Sequence, residues 1–180
     1  MKAIWKRFFR PAAIYPSLAA VDWNRMAARG YSLLLLDIDN TLMPHGRHSK
    51  TEAAGRELER IRKAGLKPVL LSNAREERAR SVGASLGADV IGNAGKPSAR
   101  GIRRALAQYR LPPERVIAVG DQVFTDLLAA RSARVPFILV DPINPKEPFY
   151  IRLKRLGERL IGRPGLAQYY DELPNRKEIS

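Results

Sequence analysis

Cysteine is absent from the 180 residues, and histidine occurs only at His45 and His48. The first absence removes disulfides, iron–sulfur clusters, thiolate zinc sites and cysteine nucleophiles. The second leaves too few imidazoles for a multi-histidine zinc site or a serine-protease type triad. No run of 18 apolar residues is present, so no segment reads as a membrane span. The stretch MKAIWKRFFRPAAIYP lacks the apolar core of a secretory signal because Lys6, Arg7 and Arg10 interrupt it. A cytoplasmic address is therefore expected, with peripheral attachment to the inner face of a membrane left open. Negative charge is scarce as well: 18 Asp+Glu face 32 Lys+Arg, for a net charge of +14. Arginine outnumbers lysine by 23 to 9, and its planar fork suits phosphate. The excess is compatible with nucleic acid, anionic lipid or a phosphorylated substrate, although a single surface charge seldom carries a function.

What is present is a globular composition, 45% hydrophobic and 28% charged, at a length that suits one domain. No internal repeat occurs. Five short apolar runs, residues 32–38, 67–72, 88–91, 115–120 and 136–140, are continuous rather than alternating, as strands buried on both faces should be. Between them, residues 49–64, 75–86, 98–109 and 125–134 carry apolar positions at helical spacing, for example Ala54, Leu58 and Ile61 against Arg56, Glu59 and Arg60. This alternation predicts an α/β fold: a five-stranded parallel sheet with helices on both faces, in three layers.

The two ends differ from the middle. Met1, Ile4, Trp5, Phe8 and Phe9 form one apolar helical face before Pro11, and Phe149, Leu153, Leu156 and Leu160 form another among Arg152, Lys154, Arg155 and Arg159. Both have the pattern of basic amphipathic helices that can lie on an anionic membrane surface; the alternative is that each folds its stripe back onto the domain, the first reading for the C-terminal one. The expected organisation is a lead segment over residues 1–30, a core over 31–145, and a basic helix with a polar tail over 146–180.

In a doubly wound sheet, ligands bind at the carboxyl ends of the strands, and acidic residues gather there. Asp37 and Asp39 follow the first run in DIDNTL, on the same side of the chain at i and i+2. Their repulsion calls for a cation or a shared proton. Asp121 ends the fourth run, and Asp126 follows one helical turn later. Oxygen-only donors of this kind suit Mg²⁺. The second run ends in LLSNA, which offers Ser72, Asn73 and backbone N–H groups to an anion. The third is followed by NAGKPS, which offers Lys96; this is not a Walker loop, because Val90 and Pro97 occupy required positions. Any one of these could be an ordinary cap or turn. Four in order, each at a successive strand tip, point to a phosphate site.

This ordered set resembles the haloacid dehalogenase (HAD) superfamily of phosphohydrolases over about residues 31–141. The resemblance implies Asp37 as the nucleophile that takes the phosphoryl group and Asp39 as the acid and base. It implies Thr41, Ser72, Asn73 and Lys96 on the substrate side. It also implies Mg²⁺ held by Asp37, the backbone carbonyl of Asp39 and Asp121, with Asp126 in support. The gaps from Asp39 to Ser72 and from Ser72 to Lys96 leave no room for an inserted cap domain, and capless relatives are linked to bulky substrates. DIDNTL, LLSNA, NAGKPS and GDQVFTDLLAA look more narrowly like the YqeG family of subclass IIIA phosphatases, which is similar to the mitochondrial phosphatidylglycerophosphatases.

The resulting expectation is a Mg²⁺-dependent phosphomonoesterase acting on a bulky phosphorylated substrate, with an anionic phospholipid head group first and protein or nucleic-acid phosphate second. A basic RNA- or ribosome-binding module with little turnover is the non-enzymatic alternative. His45 and His48 could touch a substrate head group but read first as a solvated loop, and Gln122 reads as support for Asp121 or the start of a helix.

Overall fold

The protein is described here as a computed structural model covering residues 9–45, 51–144 and 169–175. Of the two terminal amphipathic stripes only Phe9 falls within the described residues, where its ring packs edge-on against Phe124 at 5.8 Å; the rest of both stripes and His48 lie outside them.

Among the described residues seven strands form one sheet: β1 (Ala13–Tyr15), β2 (Leu33–Leu36), β3 (Lys67–Leu71), β4 (Asp89–Ile91), β5 (Val116–Gly120), β6 (Phe137–Val140) and β7 (Tyr170–Asp171). Their spatial order is β4-β3-β2-β5-β6-β1-β7. Every pairing is parallel except that of β7 with β1. The five predicted strands make up the run from β4 to β6, and the expected count of five is corrected to seven. β1 joins the edge of β6 in parallel, and β7 closes that edge in the opposite direction.

Among the described residues the α-helices are α1 (Trp23–Ala28), α2 (Glu52–Lys63), α3 (Glu76–Leu86), α4 (Arg100–Tyr109) and α5 (Leu128–Ser132). β2 shows why three layers form. All four of its leucines are buried, and alternate side chains leave by opposite faces. Leu34 and Leu36 join the core beneath α1, α2 and α3 with Trp23, Met26, Leu58, Ile61 and Val82. Leu33 and Leu35 join Ile102, Ala105, Ala129 and Ala130 of α4 and α5 on the other side.

Local chemistry agrees with these elements. Asp22 caps α1 by accepting from the Arg25 N–H at 3.0 Å, and Thr51 caps α2 by accepting from Ala54 at 3.2 Å. Gly87 ends α3 in the left-handed conformation at φ 58°. Among the described residues no subdomain interrupts the step from β2 to β3 or from β3 to β4, and no helix is long and apolar enough to cross a membrane.

One local difference from expectation concerns the site. The segment predicted as one helix over 125–134 begins as a π-helical turn, Val123–Leu127, and becomes α-helical only at Leu128. The wider turn moves Asp126 back toward the strand tips, where its Oδ2 accepts from the Gln122 N–H at 3.1 Å.

Candidate active site

The sheet order reverses between β2 and β5: the chain winds outward through β3 and β4 on one side and through β6 on the other. A crevice therefore opens at the carboxyl ends of β2 and β5. Asp37 is the first residue after β2 and Asp121 the first after β5, and the Asp37 N–H still donates to the Val119 carbonyl at 2.9 Å. With Asp126 from the π-turn they form a cluster in which one carboxylate oxygen from each residue lies within 4.8 Å of those of the other two. All three residues are buried.

Lys96 reaches this cluster from the loop after β4. Its ammonium donates to Asp37 Oδ1, to Asp126 Oδ1 at 2.6 Å and to the Leu71 carbonyl at 3.1 Å. The loop is shaped by Asn93 and Gly95, both at positive φ, and is held by Asn73. The Asn73 side chain donates to the Lys96 carbonyl at 2.9 Å and accepts from the Lys96 N–H at 2.8 Å. Ser72 lies beneath it, 2% exposed, with its oxygen accepting from the Ala74 N–H at 3.1 Å. Thr41 donates its hydroxyl hydrogen to Asp121 Oδ1 at 3.2 Å.

Charge dominates the centre. Burial pushes the Asp37 carboxyl well above the usual carboxylate range, and the nearby Asp126 and Asp121 charges push it further, against the opposing pull of Lys96. Burial alone would lower the Lys96 ammonium, but Asp126 and Asp37 outweigh it and hold the lysine above its ordinary value. Two of the three buried carboxylates, Asp37 and Asp126, thus share one ammonium, with Asp121 beside them. Unpaired buried charge costs several kcal/mol per ion. An all-oxygen donor set with two negative charges in excess fits a divalent cation of the Mg²⁺ type.

Asp39 stands apart from this trio. Arg78, in the first turn of α3, grips its carboxylate with both arms of the guanidinium: Nη1 to Oδ2 at 3.0 Å and Nη2 to Oδ1 at 2.7 Å. His45 Nδ1 lies 3.6 Å from the same Oδ1. Asn40, at φ 66°, ties this loop to the end of β6, donating to the Asn144 carbonyl at 3.0 Å and accepting from its N–H at 3.1 Å.

Of the residues singled out from the sequence, Asp37, Asp121, Asp126 and Lys96 meet directly. Thr41 and Asn73 hold Asp121 and the Lys96 loop, Ser72 lies alongside, and the Asp39 carboxylate turns to Arg78. Gln122 contributes its backbone N–H to Asp126. Sequence reasoning missed Arg78 and left His45 in a solvated loop. Three arginines crowd residues 75–80, and nothing in their spacing distinguishes the one that crosses to Asp39.

A model of the haloacid dehalogenase-like hydrolase family matches residues 52–134. That span contains Ser72, Lys96, Asp121 and Asp126 and starts downstream of Asp37. The chain is 29% identical over 156 residues to the Bacillus subtilis protein named "Probable phosphatase YqeG", covering 87% of this chain and 91% of that protein. It is 26% identical over 164 residues to the Chlamydomonas reinhardtii protein named "Phosphatidylglycerophosphate phosphatase 1, chloroplastic", covering 85% of this chain and 61% of that protein. Among solved structures, the cobalt-bound deoxy-D-mannose-octulosonate 8-phosphate phosphatase of Haemophilus influenzae shares the fold. It aligns with a TM-score of 0.51 at 15% identity over 76% of this chain and 90% of that one.

Proposed function

We infer that this chain, a phosphatase built on a haloacid dehalogenase-like hydrolase domain, hydrolyses phosphomonoesters through an aspartyl-phosphate on Asp37 and depends on Mg²⁺. The observation that carries the reading is the Lys96 ammonium shared between Asp37 and Asp126 inside the three-carboxylate cluster.

The side chains divide the work. Asp37 attacks phosphorus, forming an Oδ–P bond while the P–O bond to the leaving group breaks. Asp39 gives a proton to the departing oxygen. It then takes one from the water that attacks the aspartyl-phosphate, and this second displacement returns Asp37 and releases inorganic phosphate. Lys96 sets fixed positive charge against the phosphoryl oxygens, and the Ser72 hydroxyl adds a donor beside it. A divalent ion held by Asp37, Asp121, Asp126 and the Asp39 carbonyl would supply charge neutralisation for the incoming dianion. Thr41 and Asn73 keep Asp121 and Lys96 aimed.

The substrate proposed is bulky and anionic, with phosphatidylglycerol phosphate first, met by a chain that rests peripherally on the membrane's inner face. Support comes from the likeness to a protein named for that activity, from the net charge of +14, and from the absence of an inserted subdomain over the site among the described residues. Phosphate release tests it, with vesicles containing phosphatidylglycerol phosphate and end-phosphorylated oligonucleotides as substrates, in Mg²⁺ and in EDTA. The expected result is Mg²⁺-dependent release from the vesicles that disappears in Asp37→Asn. Release confined to the oligonucleotides would replace the lipid assignment, and undetectable release from every substrate would favour a binding module.

A further inference from the structure

Arg78 is the cation of the site that the reaction scheme leaves without a task. It sits in the first turn of α3, above the carboxyl ends of the strands. A positive charge there meets the positive end of the helix dipole, which favours acids such as the neighbouring Glu76 and Glu77. Arg78 is raised above its ordinary pKa, above all by its hydrogen bonds to Asp39, and the charge of Asp37 adds to this. Its side chain is 24% exposed and that of Asp39 is 19% exposed, whereas the Lys96 side chain is only 6% exposed. Arg78 and Asp39 are therefore more open to solvent than Lys96, so a substrate group that stays outside the buried cluster can reach them.

The partners decide what it can do. The three ammonium hydrogens of Lys96 are matched by three acceptors, Asp37, Asp126 and the Leu71 carbonyl. The amides of Asn40 and Asn73 are taken up by Asn144 and by the Lys96 backbone. Arg78 instead has an exchangeable partner. An Asp39 turned toward a leaving oxygen cannot also give both of its oxygens to the guanidinium. For a part-buried arginine the loss of this carboxylate is costly, and its fork donates to a phosphate oxygen pair as readily as to a carboxylate.

We propose that Arg78 is a specificity-determining residue which, as Asp39 engages the leaving group, exchanges that carboxylate for a second anionic group of the substrate. The preferred class is a phosphomonoester with a phosphodiester a few bonds away. This inference rests on the assignment of Asp39 to the leaving oxygen. The same chemistry occurs in a lipid head group and at a nucleic-acid end, so the test separates the two.

Three soluble substrates suffice: glycerol 3-phosphate, which has no second anion; glycerophosphoglycerol phosphate, a deacylated head group; and a 5′-phosphorylated thymidine dinucleotide. For the unaltered chain, kcat/KM is expected to favour at least one phosphodiester substrate over glycerol 3-phosphate by roughly tenfold, as befits one charge-assisted fork. Whichever substrate wins identifies the source of the diester. Arg78→Ala and Arg78→Gln should bring that ratio close to one, mainly through KM of the diester substrate, and Arg78→Lys should keep part of it. A flat ratio in the unaltered chain, or a ratio unchanged in Arg78→Ala, overturns the proposal. An equal loss on all three substrates does so too, by reducing Arg78 to a structural role. Asp37→Asn separates the two levels: turnover that survives it overturns the aspartyl-phosphate reading and this inference together. Turnover abolished by it alongside a flat ratio overturns only the role of Arg78.

Discussion

Gly120 and Asp126 pack so closely that any side chain at position 120 would force the aspartate to move: a Cβ there would stand 2.6 Å from the Asp126 Cγ and Oδ2. The last residue of β5 thus lends its missing side chain to the carboxylate folded back by the π-turn. Gly120→Ala is expected to push Asp126 out of the cluster while leaving Asp37 and Asp121 in place. Displacing a supporting group around an ion typically weakens affinity about 10–100-fold. Calorimetric Mg²⁺ titration would measure this, and an unchanged affinity would remove Asp126 from the ion's surroundings.

Repulsion within the trio makes a stability prediction that needs no substrate. In EDTA, Asp121→Asn removes one of three mutually repelling buried charges and should raise the melting temperature, by about 2–4 °C if the relief is near 1 kcal/mol. The same change should abolish the rise that Mg²⁺ gives the unaltered chain. Lys96→Met should act in the opposite direction. It strands two carboxylates at a cost of about 3–5 kcal/mol, part of which Mg²⁺ should restore. Scanning calorimetry with and without the ion reads both signs.

Asn73 holds the Lys96 backbone by two hydrogen bonds, at 2.9 and 2.8 Å. Asn73→Ala should therefore act through the lysine, loosening its loop rather than removing a contact to substrate. Two lost bonds near 1 kcal/mol each correspond to a fall in kcat/KM of roughly thirtyfold. Because the loss runs through Lys96, Asn73→Ala should cost little further in a Lys96→Ala background. Full additivity in that double-mutant cycle would detach Asn73 from Lys96.

Much of this was legible in the sequence for identifiable reasons. Strands such as β2 and β5 are continuous apolar runs with no competing helical reading, and acids placed directly after them are carried by the topology to one crevice. β1 was not legible, because Ala13–Tyr15 is three residues between Pro11 and Pro16 and becomes a strand only through pairing with β6. β7 is two residues long and includes a charged aspartate. The π-turn was hidden because its hydrogen-bond slip leaves the apolar spacing of Val123 and Leu127 compatible with a helix. Arg78 was hidden for a different reason: its partner lies 39 positions away on another element, and nothing in local spacing encodes such a meeting.

The added edge of the sheet offers a test by pH. Arg29 donates to both oxygens of Asp171 at 2.6 and 2.8 Å, and the Leu173 N–H donates to Oδ1 at 3.0 Å. Burial works to raise the Asp171 carboxyl, yet these bonds prevail and hold it below the usual value. A carboxyl lowered on folding binds fewer protons in the native state than in the unfolded one. Its contribution is complete above the ordinary value of about 3.9 and is lost as the pH falls through the lowered one. Asp171→Asn should therefore cost about 1–3 kcal/mol at neutral pH, and the gap to the unaltered chain should narrow on acidification below about pH 4. Urea unfolding at a series of pH values measures the gap. A difference that stays constant with pH would mean that the aspartate secures β7 by shape rather than by its charge on Arg29.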